Sequence, residues 1–567
     1  MIKLATVFSG IGAVEHALNR MGIDTEIVFA CDNGDIDIFS KKIPINIDEI
    51  SIELKSLNST IKKINFNPQD SYESQLLSML NLAESEYDKL KDELELINTL
   101  DDEKIVIEIL NTILQSADLN NQRVKLYNEF VKSLTSNSSI NQKRIFLYQI
   151  ISKVINDFKK DNSLDDLGNE NADLRSSLNI NWSKVNIHLK LVYDHMEQYN
   201  GKKIITHVRN LSKTIGQLHG KINSYYHLNK VNNISSYNNK KQYVENLYGG
   251  NERRNKVKIS YMENYDCPKE HFHWDVSFLD GHQYRNQVDL FVGGSPCQSF
   301  SIMGKQYGLS DTRGTLFYEY VRLVDEIQPK VFIYENVRAV LNNDCGRTWE
   351  IMKDIFEQLN YNVFYMYNDE PSILNAMDYG IPQNRKRLFV VGFRLDLNLE
   401  KDFQFPKPIN LDYKMQDFLI ENSPMGAFLP NNDVNFIKKQ KLTDAELNEK
   451  LDKYFLSDKI KKTILSGGTK NYYSKPETDL EIARPLLNTM HKMHRAGEDN
   501  YVTTNGKLRR LTPRECLRLM GFSDDWKIVV SDTAMYQQAG NSIVVDVLIH
   551  LIEEILKAYP SLNCDEN

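Results

Sequence analysis

A cysteine, a glutamate and two arginines stand in contexts that suit nucleophilic catalysis. Cys297 sits in VGGSPCQSFS, residues 292–301, with Gly293, Gly294 and Pro296 before it and Gln298 after it. An unpaired cysteine is most often a small buried hydrophobe. On a loop with free backbone amides it can instead ionise, and the thiolate is the reactive form. The run VDLFV before it is apolar and GGSP is a turn, so Cys297 is expected on a loop at the carboxyl edge of a sheet. Glu335, in YENV, ends another such strand and belongs to the same edge. Arg385 and Arg387, alternate residues in QNRKRLFVV, share one face at the entry to a further strand. A thiol, a carboxyl group and two guanidiniums would then face one crevice.

A second set of residues suits a nucleoside-type cofactor. FSGIGA, Phe8 to Ala13, is a glycine turn directly after the strand IKLATVF. Alone it is a weak signal. Asp32, about twenty residues on and at the end of the next strand, is placed to accept hydrogen bonds from ribose hydroxyls.

These residues need a frame. The first forty residues read as strand, glycine turn, amphipathic helix closed by Gly22, and strand. From about Phe66 to Cys267 the texture changes, with no proline after Pro68. Leu76, Leu80, Ala83, Tyr87, Leu90, Leu94 and Ile97 follow a helical spacing, as do Val208, Leu211, Ile215, Leu218, Ile222 and Tyr225. The stripes are short, which favours a helical hairpin or bundle within the chain over an intermolecular coiled coil. An excursion of roughly 200 residues should fold on its own.

After HFHWDVSFLDG, strands and helices alternate again, which implies a largely parallel sheet. Residues 406–505 are irregular. Thr512, with Glu515 three residues on, caps a helix ending at Gly521, and QQAGNSIVVDVLIHLIEEILKAY closes the chain with an amphipathic helix. The expected divisions are 1–45, the first part of the α/β domain; 46–268, a helical insertion; 269–395, the second part of the α/β domain; 396–530, a small irregular domain; and 531–567, a C-terminal helix returning to the sheet.

Composition sets bounds. At 567 residues, two or three compact units are expected. An apolar fraction of 41% with 26% charged residues is that of a soluble globular protein. The absence of any apolar run of about 18 residues leaves no membrane helix to expect, and the N-terminus lacks the features of a secretory leader. The six cysteines are scattered without CxxC pairing, which points to a reducing, cytoplasmic setting and away from a zinc ribbon. No metal is expected, since HFH and HKMH lack cysteine partners or an HExxH frame. The net charge of −8 neither indicates nor excludes a nucleic-acid partner, because binding depends on a local basic face.

In order, FSGIG, GSPCQSFS, GLSDTRGTLF, ENV, QNRKR, RRLTPRE and QQAGNS resemble the motifs of the cytosine-5 DNA methyltransferases of bacterial restriction–modification systems. The resemblance covers roughly 1–40, 270–395 and 505–560, about half the chain. It implies an α/β fold, a Rossmann-like S-adenosylmethionine-dependent methyltransferase sheet, here with an inserted all-helical module and a small irregular target-recognition domain. It implies that Cys297 adds to carbon 6 of a flipped cytosine, that Glu335 hydrogen-bonds or protonates ring nitrogen 3, and that carbon 5 then takes the methyl of S-adenosyl-L-methionine, leaving S-adenosyl-L-homocysteine. Arg385 and Arg387 would orient the base and its phosphate, and Gln298 belongs to the loop after the nucleophile. The cofactor would meet Phe8, Gly10, Ile11 and Gly12 at the first turn and Asp32 at its ribose. Asp275 would take the adenine amino group, and Pro296, Leu316, Asn541 and Ser542 would complete the pocket. Double-stranded DNA would meet Ser301, Arg313 and Gln383, with Lys507, Arg509, Arg510 and Arg514, beside Arg518, on phosphates. Asn33 stands where family members often carry an aromatic that stacks on adenine.

The resemblance also implies host-DNA protection, a cognate restriction endonuclease as partner, and a cytoplasmic, nucleoid-associated protein. For the insertion, oligomerisation, docking of a protein partner or extended DNA contact are the expected roles. Three rival readings remain at this level. A tRNA cytosine-5 methyltransferase shares the fold, but SPCQSFS and the long segment before RRLTPRE favour DNA. A Rossmann oxidoreductase needs neither Cys297 nor Glu335. A non-catalytic DNA-binding scaffold using the helical insert has no need of Cys297, Glu335 and Arg387 together.

Overall fold

In a computed structural model of the chain, the residues described are 1–44, 47–64, 66, 72–95, 201–295, 316–422, 444–469 and 472–563. The chain divides into two compact units, Met1–Ile36 with Leu228–Asn567, and Asp37–Pro68 with Tyr72–His227.

The first unit is built on an eight-stranded sheet. β1 (Ile2–Val7), β2 (Thr25–Cys31), β3 (Phe272–His273), β4 (Leu290–Gly293) and β5 (Val331–Val337) are parallel neighbours in the order β3–β2–β1–β4–β5. β6 (Tyr361–Phe364) and β7 (Ile373–Asn375) pair antiparallel with β8 (Lys386–Arg394), which also runs antiparallel beside β5. The fold is α/β. β1 is central, so the N-terminal strands and the strands beyond residue 270 form one sheet although residues 32–271 separate β2 from β3 in sequence.

α1 (Ala13–Arg20) joins β1 to β2. Between β2 and β3 come α2 (Ile47–Ile61), α3 (Tyr72–Glu95), α4 (Gly201–Asn232), α5 (Tyr237–Tyr248) and α6 (Lys256–Asn264). α7 (Leu316–Ile327) precedes β5, α8 (Arg347–Glu357) precedes β6, and α9 (Pro513–Arg518), α10 (Asp532–Asn541) and α11 (Val545–Ala558) follow the sheet.

The strands are apolar on both sides because helices cover both faces. On one face Leu4, Val292, Ile333 and Val391 pack with Leu18 of α1 and Leu548 and Leu551 of α11. On the other, Phe291, Phe332 and Tyr334 pack with Tyr320 of α7 and Phe356 of α8. The alternation along β5 puts Glu335 on the face of Ile333 and Asn336 on the face of Tyr334. An Arg20–Asp546 ion pair at 2.9 Å fastens α11 to α1, so the end of the chain returns beside its beginning.

Residues after β8 belong to the same compact unit and share its core through Phe403, Phe418 and Leu517. They include a hairpin of β9 (Tyr501–Thr504) and β10 (Lys507–Arg510). α9 begins with the reciprocal cap read from sequence, Glu515 N donating to Thr512 Oγ1 at 3.2 Å and Thr512 N donating to Glu515 Oε2 at 2.7 Å.

In the second unit α2, α3 and α4 share a core of Leu54, Leu57, Leu80, Leu211, Ile215 and Leu218. All six residues of the second stripe, Val208 to Tyr225, are buried, as are Leu76, Leu80, Ala83 and Leu90 of the first. Ile97 lies outside the described residues. The expected insertion, 46–268, runs past the division at His227. α5 and α6 group with the sheet, because Tyr261 of α6 is fully buried against Ala30 and Phe272 and Ser260 donates to Gln538 of α10 at 2.9 Å.

Candidate active site

The carboxyl ends of β1 and β2 meet in one hydrogen-bonded turn. Phe8 takes a left-handed φ of 53° as the chain leaves β1. Gly12, at φ 76°, caps α1, and a Cβ there would stand 2.2 Å from the Tyr265 ring. The ring is held down by its hydroxyl, which donates to Gly12 O at 2.7 Å. Asp32, just past β2, accepts from Gly10 N at 2.9 Å and from Gly34 N at 2.8 Å. Burial pushes the Asp32 carboxyl up to about 6, with those two amide bonds pulling the other way. Asn255 donates to the Asp32 carbonyl at 2.9 Å, while its Oδ1 caps α6 through Lys258 N at 2.8 Å. Asn33 is spent on a local turn, accepting from Asp35 N at 3.0 Å.

The next strand brings a second carboxylate. Cys31 pairs with His273 in the β2–β3 register, and Asp275 follows two residues later. The charges of Asp275 and Asp32 both push the buried Cys31 thiol upward, after burial itself. Two carboxylates at the ends of neighbouring strands, one of them bonded to a glycine turn, are acceptors of the kind that ribose hydroxyls and an exocyclic amino group require. At Gly10, φ +54°, Phe8 O alone among the described residues lies within 4 Å of where a Cβ would stand, so a ligand could approach open backbone. These residues fit a nucleoside. Leu316 opens α7, half-buried against the second core, and Asn541 ends α10 exposed. Ser542 is buried, its hydroxyl donating to Ile543 O at 3.0 Å.

The second cluster lies where β4 and β5 end. Glu335 pairs with Phe389 and Val337 with Arg387 in the β5–β8 register, so both charged side chains fall on one face. Arg387 Nε donates to Glu335 Oε1 at 3.0 Å, with both side chains under one-fifth exposed. Burial raises the Glu335 carboxyl, and the Arg387 and Arg385 guanidiniums oppose the rise. A Cβ on Gly294 would meet Glu335 Oε2 and its carbonyl at 2.8 Å, so glycine is required beside this acid. The following residue, Ser295, is pinned: its hydroxyl lies 2.7 Å from the Tyr334 hydroxyl and its carbonyl accepts from Asn336 Nδ2 at 3.1 Å. Glu335 therefore stands next to the segment that leads into PCQSFS. Pro296, Cys297, Gln298, Ser301 and Arg313 lie outside the described residues.

Several expectations are corrected. Arg385 does not reach toward a base: it is buried and donates to the carbonyls of Leu486, Gly540 and Ser542, each at 2.9 Å. Gln383 is fully buried, donating to Leu519 O at 2.7 Å and accepting from Leu486 N at 2.9 Å, so it offers nothing to DNA. Arg509 is fully buried between Glu515, 2.8 Å, and Glu421, 2.6 Å, and cannot touch a phosphate. Arg514 is buried on the Trp526 and Ser523 carbonyls, and Arg518 on Asp524 at 2.7 Å. Of that basic run, Lys507 is exposed and Arg510 is half-buried against Tyr536 and Tyr454.

Sequence reasoning missed Asn255, Tyr261 and Tyr265, which hold the first turn from α6. Their signal was present: Asn before a helical run is a cap, and tyrosines at 261 and 265 share one helix face. Tyr261 donates to Glu15 Oε1 at 2.6 Å, and burial raises that acid, which sits in the first turn of α1.

Residues 237–557 match the family model of the C-5 cytosine-specific DNA methylases, beginning at the first residue of α5. The chain is 35% identical over 267 residues to the Type II methyltransferase M.HhaI of Haemophilus parahaemolyticus, covering 47% of this chain and 75% of that one. To the Type II methyltransferase M.Eco47II of Escherichia coli it is 33% identical over 305 residues, covering 50% of this chain and 69% of that one.

Proposed function

The chain belongs to the C-5 cytosine-specific DNA methylase family and is a DNA (cytosine-5-)-methyltransferase, and from that premise we propose that it modifies a flipped cytosine in a specific duplex sequence through a covalent Cys297 adduct. S-adenosyl-L-methionine, bound at the Gly10 turn, Asp32 and Asp275, supplies an electrophilic methyl group. The rest is work for the side chains. The cytosine 5-position is a poor nucleophile until a thiolate adds to carbon 6. A base inside a duplex is out of reach of that thiolate, so it must leave the stack, at a cost of a few kcal/mol.

The observation that carries this reading is the Glu335–Arg387 pair beside Gly294. An acid made reluctant to ionise by burial can donate a proton or a hydrogen bond to ring nitrogen 3 as charge builds during addition. Arg387 holds that carboxyl in place and balances it once ionised. Carbon 5, made nucleophilic by the addition, takes the methyl group. Loss of the 5-proton to solvent then expels Cys297 as thiolate and restores the ring, with Glu335 taking back the proton it gave to nitrogen 3. Protection of host DNA against a cognate endonuclease is the biological setting that Type II relatives suggest.

Labelled methyl transfer tests the reading. Label should enter cytosine of duplex DNA, tRNA should stay unlabelled, and Cys297→Ser should bind S-adenosyl-L-homocysteine but transfer nothing. Transfer by Cys297→Ser at the wild-type rate would remove the adduct from the scheme.

A further inference from the structure

We propose that Tyr248 is a positioning residue for the cofactor, its hydroxyl fixing the Asp275 carboxylate so that it reads the 6-amino group of adenine. This rests on the cofactor reading above and concerns the last residue of α5. The Tyr248 hydroxyl donates to Asp275 Oδ2 at 2.7 Å. Its ring is 1% exposed and lies flat on Trp274, 5.1 Å between centroids and 9° between planes. Trp274 is itself 1% exposed, and its indole N–H donates to Glu245 Oε2 at 3.0 Å, one turn back along the same helix. The Lys258 ammonium stands 4.8 Å from the Trp274 ring. The hydroxyl cannot swing away without unstacking two buried aromatic rings.

Asp275 is held at its other oxygen as well, since Oδ1 accepts from Ser277 N at 2.9 Å. A carboxylate offers about four lone-pair sites. Two are taken here by donors fixed in the fold, so the remaining two keep fixed directions. An acceptor held in this way favours a ligand that donates from the purine 6-position and repels one that carries an oxygen there. Without the Tyr248 hydroxyl the charge would stay but the carboxylate could rotate, and selectivity rather than bulk affinity would suffer most.

Calorimetric titration of the full chain with S-adenosylhomocysteine and with its deaminated analogue, S-inosylhomocysteine, reads this directly. Tyr248→Phe keeps the stacked ring. It is expected to weaken the amino ligand about five- to tenfold, the worth of one hydrogen bond, and to leave the 6-oxo ligand within about twofold. Asp275→Asn, whose amide can turn an N–H toward a 6-oxo group, is expected to erase the preference outright. Should Asp275→Asn erase it while Tyr248→Phe keeps it, or should Tyr248→Phe bind the amino ligand more tightly, the role of Tyr248 is refuted and the cofactor reading stands. Should neither variant change the preference, Asp275 does not read adenine and the proposal goes with it. If Tyr248→Phe fails to fold, 3-fluorotyrosine at 248, a stronger donor of the same shape, must widen the preference; an unchanged or narrowed ratio refutes the proposal.

Discussion

Arg387 Nε lies 3.0 Å from Glu335 Oε1, on strands whose antiparallel register puts both side chains on one face. Glu335→Gln removes the proton donor while keeping shape, and is expected to lower kcat by about a hundredfold or more. Arg387→Ala removes the charge that opposes the rise of the Glu335 carboxyl, so that carboxyl should rise further. Activity that needs protonated Glu335 is lost as pH climbs through its pKa, so the alkaline limb of kcat/KM should move to higher pH in Arg387→Ala. A limb that stays put would separate Glu335 from the proton transfer.

Asp32 gives a second pH signature. Its carboxyl sits near 6 against an ordinary 3.8, so the folded protein keeps this proton longer than the unfolded chain does, and the group costs stability as pH rises between those values. Ribose hydroxyls donate to the ionised form. Binding of S-adenosylhomocysteine should therefore weaken about tenfold per pH unit below 6 and release a proton near that pH. Titrations in buffers of different ionisation enthalpy count the proton. Asp32→Asn should bind weakly at every pH, without the slope.

The basic run near β10 splits into two kinds of residue. Arg509→Ala leaves Glu515 buried without its partner and should cost about 3–5 kcal/mol, read as a lowered melting temperature. Lys507→Ala, at an exposed position, should leave melting unchanged and reduce the slope of log Kd for DNA against log salt by about one. Equal effects of the two on the salt slope would contradict this division.

Removing the second compact unit should spare the cofactor site. Replacing residues 37–227 by a flexible linker of about ten to twenty residues is expected to preserve binding of S-adenosylhomocysteine. A deletion of 66–262 takes away Tyr248, Asn255 and Tyr261, and should abolish that binding. Titration of both proteins with the same ligand checks the pair.

The sequence made the sheet and its edge legible because strands buried on both faces read as apolar runs with turns at fixed points. It made Glu335, Arg387 and Asp32 legible because each ends or enters such a run. It could not show that Arg385, one alternate residue before Arg387, is sunk among three carbonyls, since both arginines share the pattern of a strand entry. Arg509 misled for a related reason: its acids, Glu421 and Glu515, come from separate elements, and a basic run looks the same whether it faces water or buried carboxylates. The edge of the insertion was misplaced because α5 and α6 carry the same Asn- and Lys-rich composition as the helices before them, while their aromatics pack on β2 and β3.

Asn255 grips the carbonyl of Asp32, so the polypeptide comes back to the residue from which it departed. The excursion between Asn33 and Arg254 thus starts and ends at one neck, and its last helix, α5, still packs back on the sheet unit through Tyr248. Such a neck is a natural graft point. A foreign domain with neighbouring ends, such as a fluorescent reporter or a programmable DNA reader, could be spliced there in place of residues 37–227, leaving α5, α6 and the sheet to hold the cofactor site.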